Sequence, residues 1–250
     1  IIPSEIEITS ISKEVLPIDL KNKEGSLRET RLDYRFLDLR REENLLLFKI
    51  ETTIKNAMRE YWAKNEFIEI TTPKISGKSA ESGAEVFAID YFGETAVLSQ
   101  SPQFYKQMAM ASGFEKICEI GPAFRAENSH TSYHATEINM VDMEISNIDS
   151  VDEVMDLEED WLKYIFKRVK ETHQEDITRL FKTEIFDFNV EIPRITLEEA
   201  KKIIKEKYNY VGESKFDLER KEEELIYKYA LEKYNSELVF VTKYPFEARP

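Results

Sequence analysis

Between Asn44 and Trp62 the apolar residues Leu47, Ile50, Ile54, Ala57, Met58 and Tyr61 recur three or four positions apart, which predicts an amphipathic helix with one face toward a core. Phe67-Ile68-Glu69-Ile70 then alternates with a period of two and is stopped by Pro73, as expected of a strand. The small-residue stretch SGKSAESGAE leads into a strand at Val86-Phe87 and another near Ala96-Val97-Leu98, and residues 102 to 112 read as helix again. Ile117 to Phe124 and Ile138 to Ile145 are two further strands, joined as an antiparallel pair by the long polar loop between them. Helical spacing returns over Val151 to Val169 and over about Leu218 to Tyr234. A third helix opens at Thr196, where Thr196 and Glu199 form a capping box, and Leu238 to Val241 closes the chain as a strand. At the other end, EIEITS at 5 to 10 alternates as one strand, and Leu16-Pro17-Ile18 with the charged KNKEGSLRET reads as a linker. Strands separated by helices and joined partly by hairpins predict an α+β fold, an antiparallel sheet with helices on its faces.

Composition narrows the class. The 250 residues are 42% hydrophobic and 12% aromatic, enough to bury a full core, so disorder is not the default reading. The net charge of −14 argues against a protein that coats nucleic acid through bulk charge, though not against local contacts. No apolar run reaches the length of a membrane span, and no basic segment leads into an apolar leader, so a cytoplasmic protein is expected. The single cysteine, Cys118, lies in an apolar stretch and reads as a small buried hydrophobe rather than a nucleophile.

Three polar groups carry candidate chemistry. In Gln100 to Lys106, Pro102 suits the first turn of a helix, and Gln103 and Lys106 share a face where they could hold a small acid between an amide and an ammonium. A solvated helix start is the plainer reading of that spacing alone. Arg125 and Glu127, two apart at a strand end, also share a face, and the guanidinium fork matches phosphate or carboxylate oxygens; a surface ion pair is the alternative. Glu81 lies in the small-residue loop, where a carboxylate could close over a ligand amine. His130 and His134 are four apart, but no third ligand stands at zinc spacing, and neither common nucleotide-binding glycine signature occurs.

Together these groups resemble, in order and spacing, the catalytic core of class II aminoacyl-tRNA synthetases, most closely the aspartate-specific branch of archaeal and eukaryotic type. The resemblance runs from about Arg31 to Pro250. The long helix followed by FIEITTPK is similar to motif 1, which in the family builds a dimer interface, so a homodimer is expected. SAESGAEVF at 79 to 87 resembles the flipping loop, whose glutamate, here Glu81, contacts the substrate amino group. Gln100 to Lys106 resembles the aspartate-recognition segment, with Gln103 and Lys106 binding the substrate and Lys106 pairing with its side-chain carboxylate. FRAE at 124 to 127 resembles the start of motif 2. The resemblance implies that Arg125 bridges the substrate carboxylate and the α-phosphate of ATP as the catalytic cation, that Glu127 faces the adenine, and that Tyr133, His134 and Ala135 line the ATP site.

The implied activity is ATP-dependent activation of L-aspartate and its transfer to tRNA(Asp), with tRNA(Asn) as a further acceptor to be considered. An asparagine-specific relative, an asparagine synthetase of this fold, and a catalytically incomplete tRNA- or partner-binding protein are the alternatives. Lys106 favours aspartate, since an ammonium suits a carboxylate better than an amide. Three positions leave the family's usual pattern: Tyr133 for an arginine, Ile138 for an adenine-stacking phenylalanine, and Glu66 for a glycine. Motif 3 and the acidic ligands of the Mg2+ that accompanies ATP are expected beyond Pro250, and no metal ligand is expected within the chain. Residues 1 to 30 are expected to be the end of an anticodon-binding barrel with its hinge, and 31 to 250 part of the catalytic domain. On this reading the chain is an internal piece of a longer enzyme and by itself inactive.

Overall fold

The structure is a computed structural model that describes residues 3–11, 15–22, 25–77, 86–126, 135–186 and 188–246. The chain divides into two compact units: one of residues 1–55 with 166–187, the other of 56–165 with 188–250. Among the described residues no helix is long and apolar enough to cross a membrane.

The first unit contains α1 (Arg28–Asp33), α2 (Arg35–Asp38), the N-terminal half of α3 (Glu42–Lys64) and the C-terminal half of α5 (Val151–Phe181). Its organising group is Asp38, a fully buried carboxylate. It receives Arg31 at 2.8 Å, Arg35 at 2.7 Å and Arg41 at 3.2 Å, and Asn44 donates to it at 3.0 Å. Arg41, also buried, reaches the carbonyls of Asp19 and Asn22, which ties the segment before α1 to the start of α3. The hydrogen bond from Arg31, reinforced by the charges of all three arginines, outweighs burial and holds the Asp38 carboxyl below its ordinary value. That stabilisation is present above the unfolded carboxylate pKa and is lost as pH falls through the lower folded one. Asp38→Asn should therefore cost on the order of 3 kcal/mol at pH 7, because it leaves three guanidinium groups facing a neutral amide. Thermal melts at pH 7 and pH 3 should show the deficit shrinking in acid.

EIEITS forms no strand. Residues 5 to 10 run without regular structure, and Ile6 and Ile8 are 79% and 77% exposed. Alternation makes a strand only where a neighbouring strand takes up its amides and carbonyls, and no described strand does so here. Helix α5 runs twelve residues further than its apolar stripe predicts. The continuation past Val169 buries His173 and Ile177, and His173 Nε2 lies 2.8 Å from the Thr53 hydroxyl.

In the second unit, β1 (Ile68–Glu69), β5 (Lys116–Phe124) and β6 (Glu137–Ile145) form one sheet in the order β1-β5-β6. The β5–β6 pair is antiparallel over its full length, with Glu119 opposite Asp142 and Ile117 opposite Glu144, whereas β1 pairs with β5 in parallel. One sheet face meets helices: Trp62 of α3 donates from Nε1 to the sulfur of Met143, and stacks on Trp161 of α5 with ring centroids 6.0 Å apart. Cys118, opposite Met143, shares that face, and burial pushes its thiol up to about 12, so it is an inert core residue. A second small sheet pairs β2 (Ile75–Ser76), β4 (Glu94–Leu98) and β3 (Ala88–Tyr91) antiparallel, and β4 leads into α4 (Gln103–Ala111).

The rest of this unit comprises β7 (Arg194–Thr196), α6 (Leu197–Tyr208), α7 (Arg220–Tyr234) and β8 (Phe240–Thr242). The Thr196 capping box forms as the sequence predicts, and a second one forms at Glu219 and Glu222. Ile195, Ala200, Ile204 and Ile226 close a local core. β7 and β8 pair in parallel, so the α+β architecture holds with mostly antiparallel pairing and two parallel pairs, β1–β5 and β7–β8.

Candidate active site

The site is built on the sheet face opposite Trp62. Residues two apart on a strand share a face, so Glu119, Gly121 and Ala123 of β5 lie on one side, and the alternation continues to Arg125 just past the strand end. Their cross-strand partners on β6 include Asp142 and Glu144. Helix α4 supplies the cation. Its first turn begins after Pro102, whose carbonyl accepts the Lys106 amide, and this places Gln103, half-buried, and Lys106 on one side of the helix.

Lys106 is buried, 5% exposed, and its ammonium lies 2.5 Å from Asp142 Oδ1 and 2.9 Å from Glu144 Oε2. Burial alone would lower its pKa, but the hydrogen bonds to those two carboxylates and their charges hold it above the ordinary lysine value. It is therefore a fixed cation across the neutral range. Asp142 and Glu144, which hold Lys106, are residues of the candidate site that sequence reasoning did not single out. The signal was present: two acids two apart in the otherwise apolar second half of the strand, Met140 to Ile145.

At the open end of β5, the Arg125 amide donates to the Thr136 carbonyl at 3.0 Å, which extends the hairpin one step past Phe124. The Arg125 side chain is half-buried, and Ala135, next to Thr136, is exposed. Glu81, Glu127, Tyr133 and His134 lie outside the described residues. The geometry thus brings Lys106 together with two carboxylates, with Gln103 on the same side of α4, and sets Arg125 on the same sheet face. Among the described residues no three His, Cys, Asp or Glu side chains converge as a metal site.

A buried ammonium held by acids at one end of a sheet face, with an arginine at the other, can receive an anion that also carries a carboxylate or phosphate. Comparison with known proteins gives that arrangement a setting. Aspartate–tRNA(Asp) ligase of Pyrococcus abyssi is 40% identical over 252 residues, covering 100% of this chain and 57% of that protein. Aspartate–tRNA(Asp/Asn) ligase of Aeropyrum pernix is 39% identical, covering 98% of this chain and 55% of its own length. The chain thus spans little more than half of the curated relatives it matches. Among solved structures, the asparaginyl-tRNA synthetase of Pyrococcus horikoshii complexed with asparaginyl-adenylate superposes with a TM-score of 0.84 at 28% identity, covering 98% of this chain and 55% of that one. The family model for class II tRNA synthetases (D, K and N) matches residues 27–250, which include α3, both sheets of the site and the α6–α7 segment, and the chain belongs to that family.

Proposed function

We propose that the protein containing this chain activates L-aspartate with ATP and transfers it to tRNA(Asp), in the cytoplasm. The observation that carries this reading is Lys106: a buried lysine held cationic at the foot of α4, three residues from Gln103, suits a side-chain carboxylate. In the first step the aspartate α-carboxylate attacks the α-phosphorus of ATP and pyrophosphate leaves. Two anions must approach, and Arg125 supplies a guanidinium fork for the carboxylate and the α-phosphate oxygens, where negative charge develops. The terminal ribose hydroxyl of tRNA then attacks the adenylate carbonyl and AMP leaves. Glu81 is assigned to the substrate amino group, Glu127 to the adenine, and Tyr133, His134 and Ala135 to the rest of the ATP site. Magnesium bound with ATP would add charge neutralisation at the phosphates.

Residues 31–250 are assigned to the catalytic domain and 1–30 to the end of an anticodon-binding module with its hinge. The α3 surface supports a homodimer, since Leu45, Leu47 and Phe48 are each about half exposed on one helix.

Asparagine is the second reading, and one observation favours it. Asp142 and Glu144 together already exceed the charge of Lys106, so a neutral amide would meet less opposition than a third carboxylate. ATP–pyrophosphate exchange by the full-length protein separates the two. Exchange with aspartate and little with asparagine is expected; equal or greater exchange with asparagine overturns the aspartate assignment. tRNA(Asn) as a second acceptor is tested by charging purified tRNA(Asp) and tRNA(Asn) side by side.

A further inference from the structure

Glu119 is 3% exposed and stands directly opposite Asp142 on the sheet, two like charges that would repel across the strand pair. Each has its own lysine. Asp142 has Lys106, and Glu119 has Lys74, whose ammonium lies 2.9 Å from Glu119 Oε1. The Thr72 amide and hydroxyl also donate to the Glu119 carboxylate, at 2.9 and 2.8 Å. Lys74 reaches it by lying across β5 at Gly121: a Cβ at that position would stand 3.1 Å from the ammonium and 3.2 Å from Glu119 Oε1. The main chain around Lys74 is anchored as well. Its carbonyl accepts the Ser99 amide, four residues before α4, and the Ser99 carbonyl accepts the amide of Phe124, the residue before Arg125, both at 2.9 Å.

The site face thus holds three carboxylates, Glu119, Asp142 and Glu144, against two lysines, with Arg125 past the end of β5 as a further cation. We infer that the Lys74–Glu119 ion pair is a positioning and specificity-determining element for the amino-acid side chain: it cancels the Glu119 charge, so that Lys106 answers only Asp142 and Glu144. The inference rests on the amino acid-activating reading above. Lys74 and Glu119 touch no substrate; they act through the field at Lys106. Losing the Lys74 charge makes the face more negative and opposes an anionic side chain, whereas losing the Glu119 charge makes it less negative and favours one.

The two single neutralisations must therefore act in opposite directions, which a purely structural pair would not do. In the full-length protein, Lys74→Met should lower the ratio of kcat/KM for aspartate over asparagine in ATP–pyrophosphate exchange about tenfold, through KM, and Glu119→Gln should raise it by a similar factor. The double variant Lys74→Met/Glu119→Gln should return the ratio close to that of the parent, and KM for ATP should move less than about twofold in all three. Ratios that stay unchanged in both single variants, or that move the same way in both, overturn the inference. The ratio reports on it whichever amino acid the parent prefers, so a parent that favours asparagine overturns only the aspartate assignment. A parent without exchange for either amino acid overturns the activating reading and this inference with it.

Discussion

Lys106→Met should lower aspartate-dependent exchange at least about 30-fold and should also lower stability, because the substitution removes the ammonium that answers both Asp142 and Glu144. The lysine side chain is 7% exposed and its partners 19% and 28%, so solvent screens the pair only in part. Breaking a buried pair by deleting one partner costs about 3–5 kcal/mol, most of it the penalty of leaving the remaining charge unanswered. Here two carboxylates remain. For catalysis, a third carboxylate entering without the ammonium would lose a charge-paired contact worth about 2–5 kcal/mol, a fall of about 30-fold to several thousandfold in kcat/KM. Asparagine brings no such charge, so residual exchange by Lys106→Met should shift toward it. Thermal melts provide a second readout. The raised Lys106 pKa stabilises the fold below the unfolded lysine value, and that contribution disappears as pH rises through the higher folded value. The parent should thus lose stability in the alkaline range where Lys106→Met has nothing further to lose. A variant that keeps aspartate exchange within a few-fold of the parent would remove Lys106 from substrate recognition.

The parts of this site that the chain announces are those decided locally. The β5–β6 hairpin follows from two strand-forming runs on either side of a polar loop, α3 from its apolar stripe, and the start of α6 from a capping box that needs only Thr196 and Glu199. What escaped depends on partners distant in the chain. An acid at 119 or 142 on an alternating strand reads as a solvent-facing position, until lysines 45 residues before one and 36 before the other fold onto the same face. The tail of α5 escaped because its buried stripe contains His173, a polar residue satisfied by a hydroxyl on another helix. EIEITS shows the converse error, since alternation states which faces a strand would have and not whether a neighbour exists. The parallel pairings of β1 with β5 and β7 with β8 are likewise invisible locally, each joining segments more than forty residues apart.

Arg125→Ala should leave the fold intact and remove exchange. The contact that fixes this position in the hairpin is made by the main chain, from the Arg125 amide to the Thr136 carbonyl, and alanine retains it. The side chain follows β5 onto the site face without being a core residue, so melting and circular dichroism should match the parent. In the proposed reaction the guanidinium meets charge that grows as the substrate carboxylate approaches the α-phosphorus. A group aimed at developing charge acts mainly on kcat, and losing one such donor costs about 10²–10³ in rate, more when it also orients the nucleophile. The loss should therefore appear with both aspartate and asparagine, unlike that of Lys106→Met, which distinguishes the reacting centre from the side-chain subsite. Arg125→Lys refines the argument further. A lysine keeps the charge but cannot bind carboxylate and phosphate through a planar fork, so it should recover only part of the lost rate. Full activity in Arg125→Lys would reduce the role to point charge, and full activity in Arg125→Ala would remove it altogether.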